Sequence, residues 1–204
     1  MGTRNLTAVY IDGDYKVAQY GQWDGYPEGQ GMTTLTFLRE RMNEEIFKRA
    51  LRNSSYITAD ELDERWKEVG ADDTNLIPWN VAMAMTNTYP ELSRDTGAEV
   101  LKIVQEHPEG IKLGNSLEFA ADSLFCEWAW VIDFDKRTFE AYRGFNKEQP
   151  LSPDDRFYFL RDKERDEYHG VVLVAKWSLD ELPNDEEFLA AFITKEDEDD
   201  ADEK

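Results

Sequence analysis

The segment at positions 19–31, Q-Y-G-Q-W-D-G-Y-P-E-G-Q-G, combines residue types that could bind a ligand. It holds four of the twelve glycines of the chain, and glycine adopts backbone conformations that other residues resist. Aromatic and carboxylate side chains lie between these glycines, so the segment is either a structural corner or a binding surface. The residues expected to bind a ligand are Arg4, Gln22, Trp23, Asp24, Tyr26 and Glu28.

The same segment precedes a predicted helix, where backbone N–H groups could bind an anion. Neither phosphate-binding pattern, G-x-x-x-x-G-K-[ST] or G-x-G-x-x-G, occurs in the chain. The carboxylates of Asp24 and Glu28 would also repel a phosphate group. The sequence therefore does not predict a phosphate-binding loop.

The residues that usually bind metals are scarce. The chain has two histidines and one cysteine, and it lacks the C-x-x-C and H-E-x-x-H patterns of zinc sites. Asp133 and Asp135 would share one face of a strand, a spacing that could hold a hard cation. Aspartate is also common at hairpin turns, and we favour that interpretation. We therefore expect neither a metal site nor a bound cofactor.

Three further residues have both a structural and a functional interpretation. Cys126 lies in the apolar sequence L-F-C-E-W, where a cysteine behaves as a small buried hydrophobic residue rather than a nucleophile. Trp128 and Trp130 alternate along one predicted strand and share a face. They pack in the core or stack on a ligand, and core packing is the favoured interpretation.

The composition is strongly acidic, with a net charge of -21. The segment at positions 195–204 contains seven acidic residues and two lysines, but the rest of the chain is acidic as well. Such a charge disfavours direct binding to nucleic-acid phosphates. It is explained either by solubility or by a basic protein partner that meets an acidic face, for example one that normally binds nucleic acid.

The sequence indicates a cytoplasmic protein that does not contact a membrane. No run approaches the roughly 20 apolar residues of a transmembrane helix. The N-terminus, M-G-T-R-N, has no hydrophobic signal region. The single cysteine also fits a reducing compartment.

Hydrophobic periodicity predicts the elements of the first half of the chain. The pattern at 6–11 and 15–20, separated by Asp-Gly-Asp, is typical of a β-hairpin. A long amphipathic helix is expected at 32–51, and a capping box at Thr58–Glu61 begins another that stops near Gly70. Shorter helices are predicted at 79–85, 96–105 and 116–124.

The second half of the chain is richer in strands. A second hairpin is predicted from residues 127–134 and 138–142, followed by a short strand at 157–160 and a buried strand at 170–177. A capping box at 178–181 and a helix at 185–192 follow. The sequence thus predicts one α+β domain at 1–194, in which the N- and C-terminal strands share a mainly antiparallel sheet around a helical insertion. A disordered acidic tail is predicted at 195–204.

Several segments resemble a widespread, uncharacterised family of bacterial and phage proteins. They are M-G-T-R-N-L-T-A-V-Y and V-A-Q-Y-G-Q-W-D-G-Y-P-E-G-Q-G near the start, and F-C-E-W-A-W-V-I-D-F-D-K-R-T-F-E-A-Y and S-L-D-E-L-P later. The resemblance covers most of the chain except the tail. It implies a bacterial or phage origin but no established activity.

The first 26 residues are also similar to choloylglycine hydrolases and penicillin V acylases. Those enzymes begin C-T-R, continue through a hairpin and then present an aspartate, as G-T-R, the hairpin and Asp24 do here. In that family the N-terminal cysteine attacks an amide. Gly2 has no attacking atom, so Thr3 would be the nucleophile only if Gly2 were removed. This similarity implies a sandwich of the N-terminal-nucleophile type more than it implies catalysis.

These observations leave three functional hypotheses. The first is an acidic, non-catalytic binding or regulatory protein, encoded by a phage and acting on a host or defence protein in the host cytoplasm. The second is an amidohydrolase that uses Thr3 and Asp24. The third is a small-ligand binder that uses the segment at 19–31. We favour the first hypothesis over catalysis.

Overall fold

A computed structural model describes residues 2–72, 77–164 and 167–193. The molecule is an α+β protein in which helices cover a five-stranded sheet. A separate pair of two-residue strands lies beside it. The strands are β1 Asn5–Ile11, β2 Asp14–Gly21, β3 Ser55–Tyr56, β4 Lys112–Leu113, β5 Trp128–Asp133, β6 Thr138–Arg143 and β7 Val172–Ser178.

The five-stranded sheet has the order β2-β1-β5-β6-β7. All neighbours are antiparallel except β1 and β5, which run parallel with Asn5 opposite Trp128. The prediction of a mainly antiparallel sheet shared by N- and C-terminal strands is therefore confirmed. The other described sheet is the parallel β3–β4 pair, so the described residues do not form the two stacked sheets of a sandwich.

The helices lie mostly between the two hairpins. None of the helices in the described part of the chain has the length and apolar content of a membrane-spanning segment. The α-helices are α1 Met32–Thr36, α2 Glu44–Asn53, α3 Ala59–Glu68, α4 Trp79–Thr88, α5 Val100–Glu106 and α6 Asp185–Ala190. Short 3₁₀ segments form at Pro90–Leu92, Gly97–Glu99, Leu117–Ala121 and Tyr158–Lys163, and π-helical turns at Pro27–Gly31 and Phe37–Arg41.

Hydrophobic residues are buried on both faces of the sheet. Because side chains alternate along a strand, Trp130 and Ile132 of β5 point to one core and Ala129 and Val131 to the other. The first core holds residues from α2, α5 and α6, including Phe47, Leu101 and Phe188. The second core holds residues from the 3₁₀ segments, including Ala120 and Leu160, together with the neighbouring Phe157.

The prediction of a single long helix at 32–51 is wrong. The chain leaves the helical conformation at Met42 (ψ 124°) and Asn43 (ψ 102°) and begins again at α2. The side chain of Asn43 caps α2 by accepting a hydrogen bond from the Ile46 amide at 3.1 Å. Gln105 stabilises the break from α5, because its side chain bonds the Asn43 amide at 2.6 Å and the Arg41 carbonyl at 3.0 Å.

Two strand predictions need correction. Residues 158–160 belong to the 3₁₀ segment Tyr158–Lys163, and Phe157 lies directly before it. The segment follows a turn in which the Ser152 amide donates to the Asp155 carboxylate. The strand predicted at 170–177 forms as β7, but the expectation that it is buried is wrong. Among the described strands it pairs with β6 alone and forms an edge of the sheet, and its residues Leu173 and Val174 are exposed.

The region after β7 also differs from its prediction. Residues 178–181 form a turn in which Ser178 and Glu181 make an isolated bridge, not a capped helix. The capping box that begins the final helix is formed by Asn184 and Glu187 instead. The predicted disordered tail at 195–204 lies outside the described residues.

Candidate functional site

The backbone of the predicted loop folds back on itself at Asp24. Asp24 has a positive φ of 53°, a conformation that residues other than glycine rarely adopt. Its carbonyl oxygen accepts a hydrogen bond from the Gln30 amide at 2.7 Å. A Cβ atom on Gly29 would lie 2.1 Å from this same oxygen, so the turn requires glycine at position 29.

The loop is anchored to the centre of the sheet by Trp130. The indole Nε1 of Trp130 donates to the Gly25 carbonyl oxygen at 2.9 Å, and this bond is buried. A Cβ atom on Gly31 would lie 2.8 Å from the indole ring of Trp130. Position 31 therefore has no room for a side chain, because the chain passes directly over a buried tryptophan.

Asn5 of β1 holds the same loop from a second side. Its side-chain amide donates to the carbonyl oxygens of Gly21 and Trp23, each at 3.2 Å. Cβ atoms on Gly21 and Gly25 would lie 2.7 Å and 2.8 Å from side-chain atoms of Asn5. The glycine spacing thus reflects close packing against neighbouring side chains.

The segment at 93–98 completes the set of contacts. The Trp23 indole donates to the Asp95 carboxylate at 2.8 Å, and the Gln22 amide donates to the Arg94 carbonyl at 2.9 Å. The Gln30 side chain accepts from the Ala98 amide at 2.7 Å. The loop is therefore a structural corner between β2 and the helices.

The N-terminal residues pack against this corner. A Cβ atom on Gly2 would lie 2.4 Å from the Gln22 carbonyl oxygen and 2.5 Å from the Trp23 ring. Thr3 contacts the loop through its main chain, since its carbonyl oxygen accepts from the Gly25 amide at 2.9 Å. Arg4 turns elsewhere, with its guanidinium 4.4 Å from the centre of the Phe125 ring.

The structure therefore brings some of the predicted site residues together. Trp23, Asp24, Tyr26 and Glu28 are all exposed on the outer side of the corner. The Tyr26 hydroxyl donates to the Asp24 carboxylate at 3.1 Å, which raises the pKa of Tyr26. Gln22 instead accepts a hydrogen bond from the Tyr20 hydroxyl at 2.7 Å.

Asp133 and Asp135 do not form a common site. Asp133 is fully buried, and one of its oxygens accepts from the Lys136 amide at 2.8 Å. Asp135 points to the first hairpin, where its two oxygens accept from the amides of Asp12 and Gly13 at 2.9 and 2.8 Å. In the part of the chain that the structure describes, no group of three acidic, histidine or cysteine residues could hold a metal ion.

A buried charged cluster lies on the opposite face of β5 and β6 from Trp130. The guanidinium of Arg156, whose side chain is 7% exposed, pairs with Asp133 and with Glu140, the latter at 2.7 Å. Glu140 also accepts from the hydroxyls of Tyr142 at 2.6 Å and Thr138 at 2.8 Å. Sequence reasoning missed this cluster, although the pattern T-F-E-A-Y places Glu140 and Tyr142 on one strand face, where a buried acid requires a basic partner.

The contacts within this cluster shift the pKa values of its members. Burial alone would raise the pKa of Glu140, but hydrogen bonds from Arg156 and Tyr142 outweigh it and lower that pKa. Burial and the nearby Glu140 charge raise the pKa of Tyr142. The cluster therefore consists of the Arg156 guanidinium between the carboxylates of Asp133 and Glu140. These charged groups form their hydrogen bonds with one another and with neighbouring hydroxyls of the protein.

Cys126 and the tryptophan pair have the structural roles that were favoured. Cys126 is fully buried, and burial raises the pKa of its thiol. The rings of Trp128 and Trp130 stack 5.5 Å apart, with Trp130 fully buried. The Cys126 thiol and the Trp130 ring are therefore inaccessible, whereas Trp128 is partly exposed and packs on Trp130.

A cleft between helices α3 and α4 exposes large apolar side chains. It encloses about 340 Å³ and is lined mainly by apolar side chains, among them Leu62 and Trp66 of α3 and Trp79 and Met83 of α4. Trp79 is 79% exposed and Met83 is 41% exposed. Large apolar side chains that are exposed together are typical of interaction surfaces. We refer to this feature as the α3–α4 cleft.

Helix α3 borders the cleft and is strongly acidic. Its sequence, A-D-E-L-D-E-R-W-K-E, contains five acidic and two basic residues, and none of its residues is buried. Glu61 pairs with Lys112 at 2.8 Å, and this hydrogen bond together with the capping box lowers the pKa of Glu61 to about 2. By contrast, Asp60, Asp63 and Glu64 are exposed and make no ion pair within the described residues.

A scan against protein-family models finds no match to this chain, and searches of curated proteins and of solved structures also find none.

Proposed function

We propose that this protein is an acidic, non-catalytic binding protein whose partner is a basic protein. The observation that carries the proposal is the surface of α3, where Asp60, Asp63 and Glu64 are exposed and unpaired within the described residues beside exposed apolar side chains. Such a surface attracts a basic partner over distances comparable to the Debye length, and its apolar neighbours supply contact area.

The corner at 19–31 gives less support to the enzymatic and small-ligand alternatives. Its backbone is occupied by contacts with Trp130, Asn5 and the segment at 93–98. The Asp24 carboxylate is hydrogen-bonded to Tyr26, while Thr3 contributes a carbonyl oxygen to the corner. These contacts are typical of a structural connection between elements. They therefore favour a binding surface elsewhere on the protein.

The resemblance to bacterial and phage proteins guides the choice of partner. It favours a basic host protein, including one that belongs to host defence and normally binds nucleic acid. An acidic surface can compete for the same basic groups that contact nucleic-acid phosphates. The proposed role is thus regulatory, through occupation of a partner's basic surface in the cytoplasm.

The test is affinity capture from a bacterial lysate with matched charge variants. The triple variant Asp60→Asn, Asp63→Asn, Glu64→Gln removes the unpaired acids of α3 without touching Glu61 or Glu68, which make structural contacts. The control variant Glu109→Gln, Glu148→Gln, Asp154→Asn removes the same number of exposed charges elsewhere.

We expect the native chain and the control variant to enrich the same basic proteins, and the α3 variant to lose at least ten-fold of that enrichment. The capture should also weaken as salt rises from 50 to 300 mM, because the contact is electrostatic. Equal capture by both triple variants, or failure to enrich any basic protein, would contradict the proposal.

A further inference from the structure

We infer that the α3–α4 cleft binds a single amphipathic helix of the partner, with apolar anchors in the cleft and Lys or Arg residues against α3. This inference rests on the proposed function and specifies the site and the chemistry of the bound segment. Three observations support it: the apolar side chains that line the cleft, the negative net charge of α3, and the internal hydrogen bonding of the helical backbones that form two of its walls.

The first argument concerns α4. Its sequence, W-N-V-A-M-A-M-T-N-T, contains no charged residue, in a chain whose residues are 33% charged. Only Val81 and Met85 of this helix are buried, whereas Trp79 and Met83, four residues apart, lie exposed along the cleft. An uncharged surface helix with an exposed tryptophan and methionine is suited to contact with apolar side chains.

The second argument concerns charge complementarity. The apolar cleft is bordered by the acidic helix α3, so an apolar ligand that also carries positive charge gains from both surfaces. At the other side of the cleft, Nε of Arg94 and Oδ1 of Asp95 lie 4.0 Å apart, so the opposite charges of these two residues largely cancel. Among the described residues no acid of α3 lines the cleft itself, but the helix that borders it has five acidic and two basic residues, so its net charge is negative.

The third argument selects a helix rather than a strand. Two walls of the cleft are α3 and α4, whose backbone N–H and C=O groups are bonded within the helices, and the third is the segment at 92–95. Within the described residues no strand lines the cleft, so a bound segment must satisfy its own backbone hydrogen bonds. An amphipathic helix does so and presents apolar side chains at i, i+3, i+4 and i+7 to a groove.

The test uses a designed peptide of 18 residues with leucine and methionine at those positions and lysine elsewhere. Two control peptides are a scrambled sequence of the same composition and a version with every lysine replaced by glutamate. Binding is measured by calorimetry and by ¹⁵N–¹H spectra, in which the six tryptophans of the chain give separate indole signals. Trp79→Phe assigns the signal of Trp79.

We expect the amphipathic basic peptide to bind at least ten-fold more tightly than either control and to shift the Trp79 indole signal, while that of the buried Trp130 stays in place. The double variant Trp79→Ala, Met83→Ala should lose at least ten-fold in affinity. Phe159→Ala, which removes an exposed aromatic ring elsewhere, should bind like the native chain.

The outcomes separate this inference from the proposed function. If the α3 charge variant loses the lysate partner but Trp79→Ala, Met83→Ala keeps it, the inference is wrong and the proposed function stands. Equal binding of the scrambled peptide would indicate charge attraction alone and overturn the inference. Concentration-dependent dimers abolished by Trp79→Ala would identify a second copy of the chain as the occupant, and this result would overturn it as well.

Discussion

The indole N–H of Trp130 donates a buried hydrogen bond to the carbonyl oxygen of Gly25. The two residues are separated by 105 positions in the sequence. The bond joins the glycine-rich corner to the central strand of the sheet, so the conformation of the corner depends on a residue of the second hairpin. The exposed surface of the corner is consequently held by the core beneath it.

Trp130→Phe should destabilise the protein by about 2 kcal/mol or more. The substitution leaves the buried Gly25 carbonyl without its donor, which costs about 1–3 kcal/mol, and it also removes ring contacts. Urea unfolding measures the change. Trp128→Phe is the matched control, because that indole donates no hydrogen bond to any residue that the structure describes and the side chain is partly exposed. If both variants lost the same free energy of unfolding, the hydrogen bond between Trp130 and Gly25 would not contribute to stability.

Gly29→Ala should destabilise the protein strongly, by about 2 kcal/mol or more, because its Cβ would overlap the backbone oxygen of Asp24. Gly114→Ala serves as the control, since a Cβ there meets no atom within 4 Å and the residue has no positive φ. We expect Gly114→Ala to change stability by no more than about 1 kcal/mol. A small effect of Gly29→Ala in thermal unfolding would show that the corner can rearrange.

Asp135→Ala should lower the free energy of unfolding by about 1–3 kcal/mol, although Asp135 is exposed. Its carboxylate accepts two amide hydrogen bonds from the turn of the first hairpin, and hydrogen bonds to charged groups contribute more than neutral ones. Asp154→Ala removes an exposed acid without such bonds and should change stability by less than about 0.5 kcal/mol. Chemical denaturation of the two variants compares these values directly.

Glu140→Gln should destabilise the protein at neutral pH by about 3 kcal/mol, because it removes one carboxylate from a buried Arg156. The pKa of Glu140 is lowered in the folded protein, so its stabilisation is fully present above the unfolded pKa of about 4.3 and is lost as pH falls through the folded value. The difference between native chain and variant should therefore shrink towards pH 3. Urea unfolding of the native chain and the variant at several pH values measures this difference, and a difference that stays constant with pH would contradict the prediction.

Local patterns were sufficient to predict the two hairpins and the capping box of α3. The turn Asp12–Gly13 and the alternation along β5 are short-range signals that the fold retains. The break in the helix predicted at 32–51 could not be predicted in this way, because it is stabilised by Gln105 from another element. The edge position of β7 is likewise a property of strand order, which periodicity does not contain.

The candidate sites also differ in how far the sequence could predict them. The sequence identified the corner at 19–31 as unusual, and the structure explains its glycines by contacts with Trp130 and Asn5. The α3–α4 cleft was not predicted, because the apolar side chains of α3 and α4 read individually as core positions. Only their arrangement shows that Trp79 and Met83 remain exposed.

The parallel pairing of β1 with β5 has a consequence for biosynthesis. Asp12 and its partner Asp135 are 123 residues apart, and a ribosome adding roughly 5–20 residues per second takes on the order of ten seconds to make that length. Throughout that interval the first hairpin lacks its neighbour, and an isolated hairpin is only marginally stable in water. The nascent chain is therefore expected to gain resistance to proteolysis abruptly, once β5 and β6 have emerged.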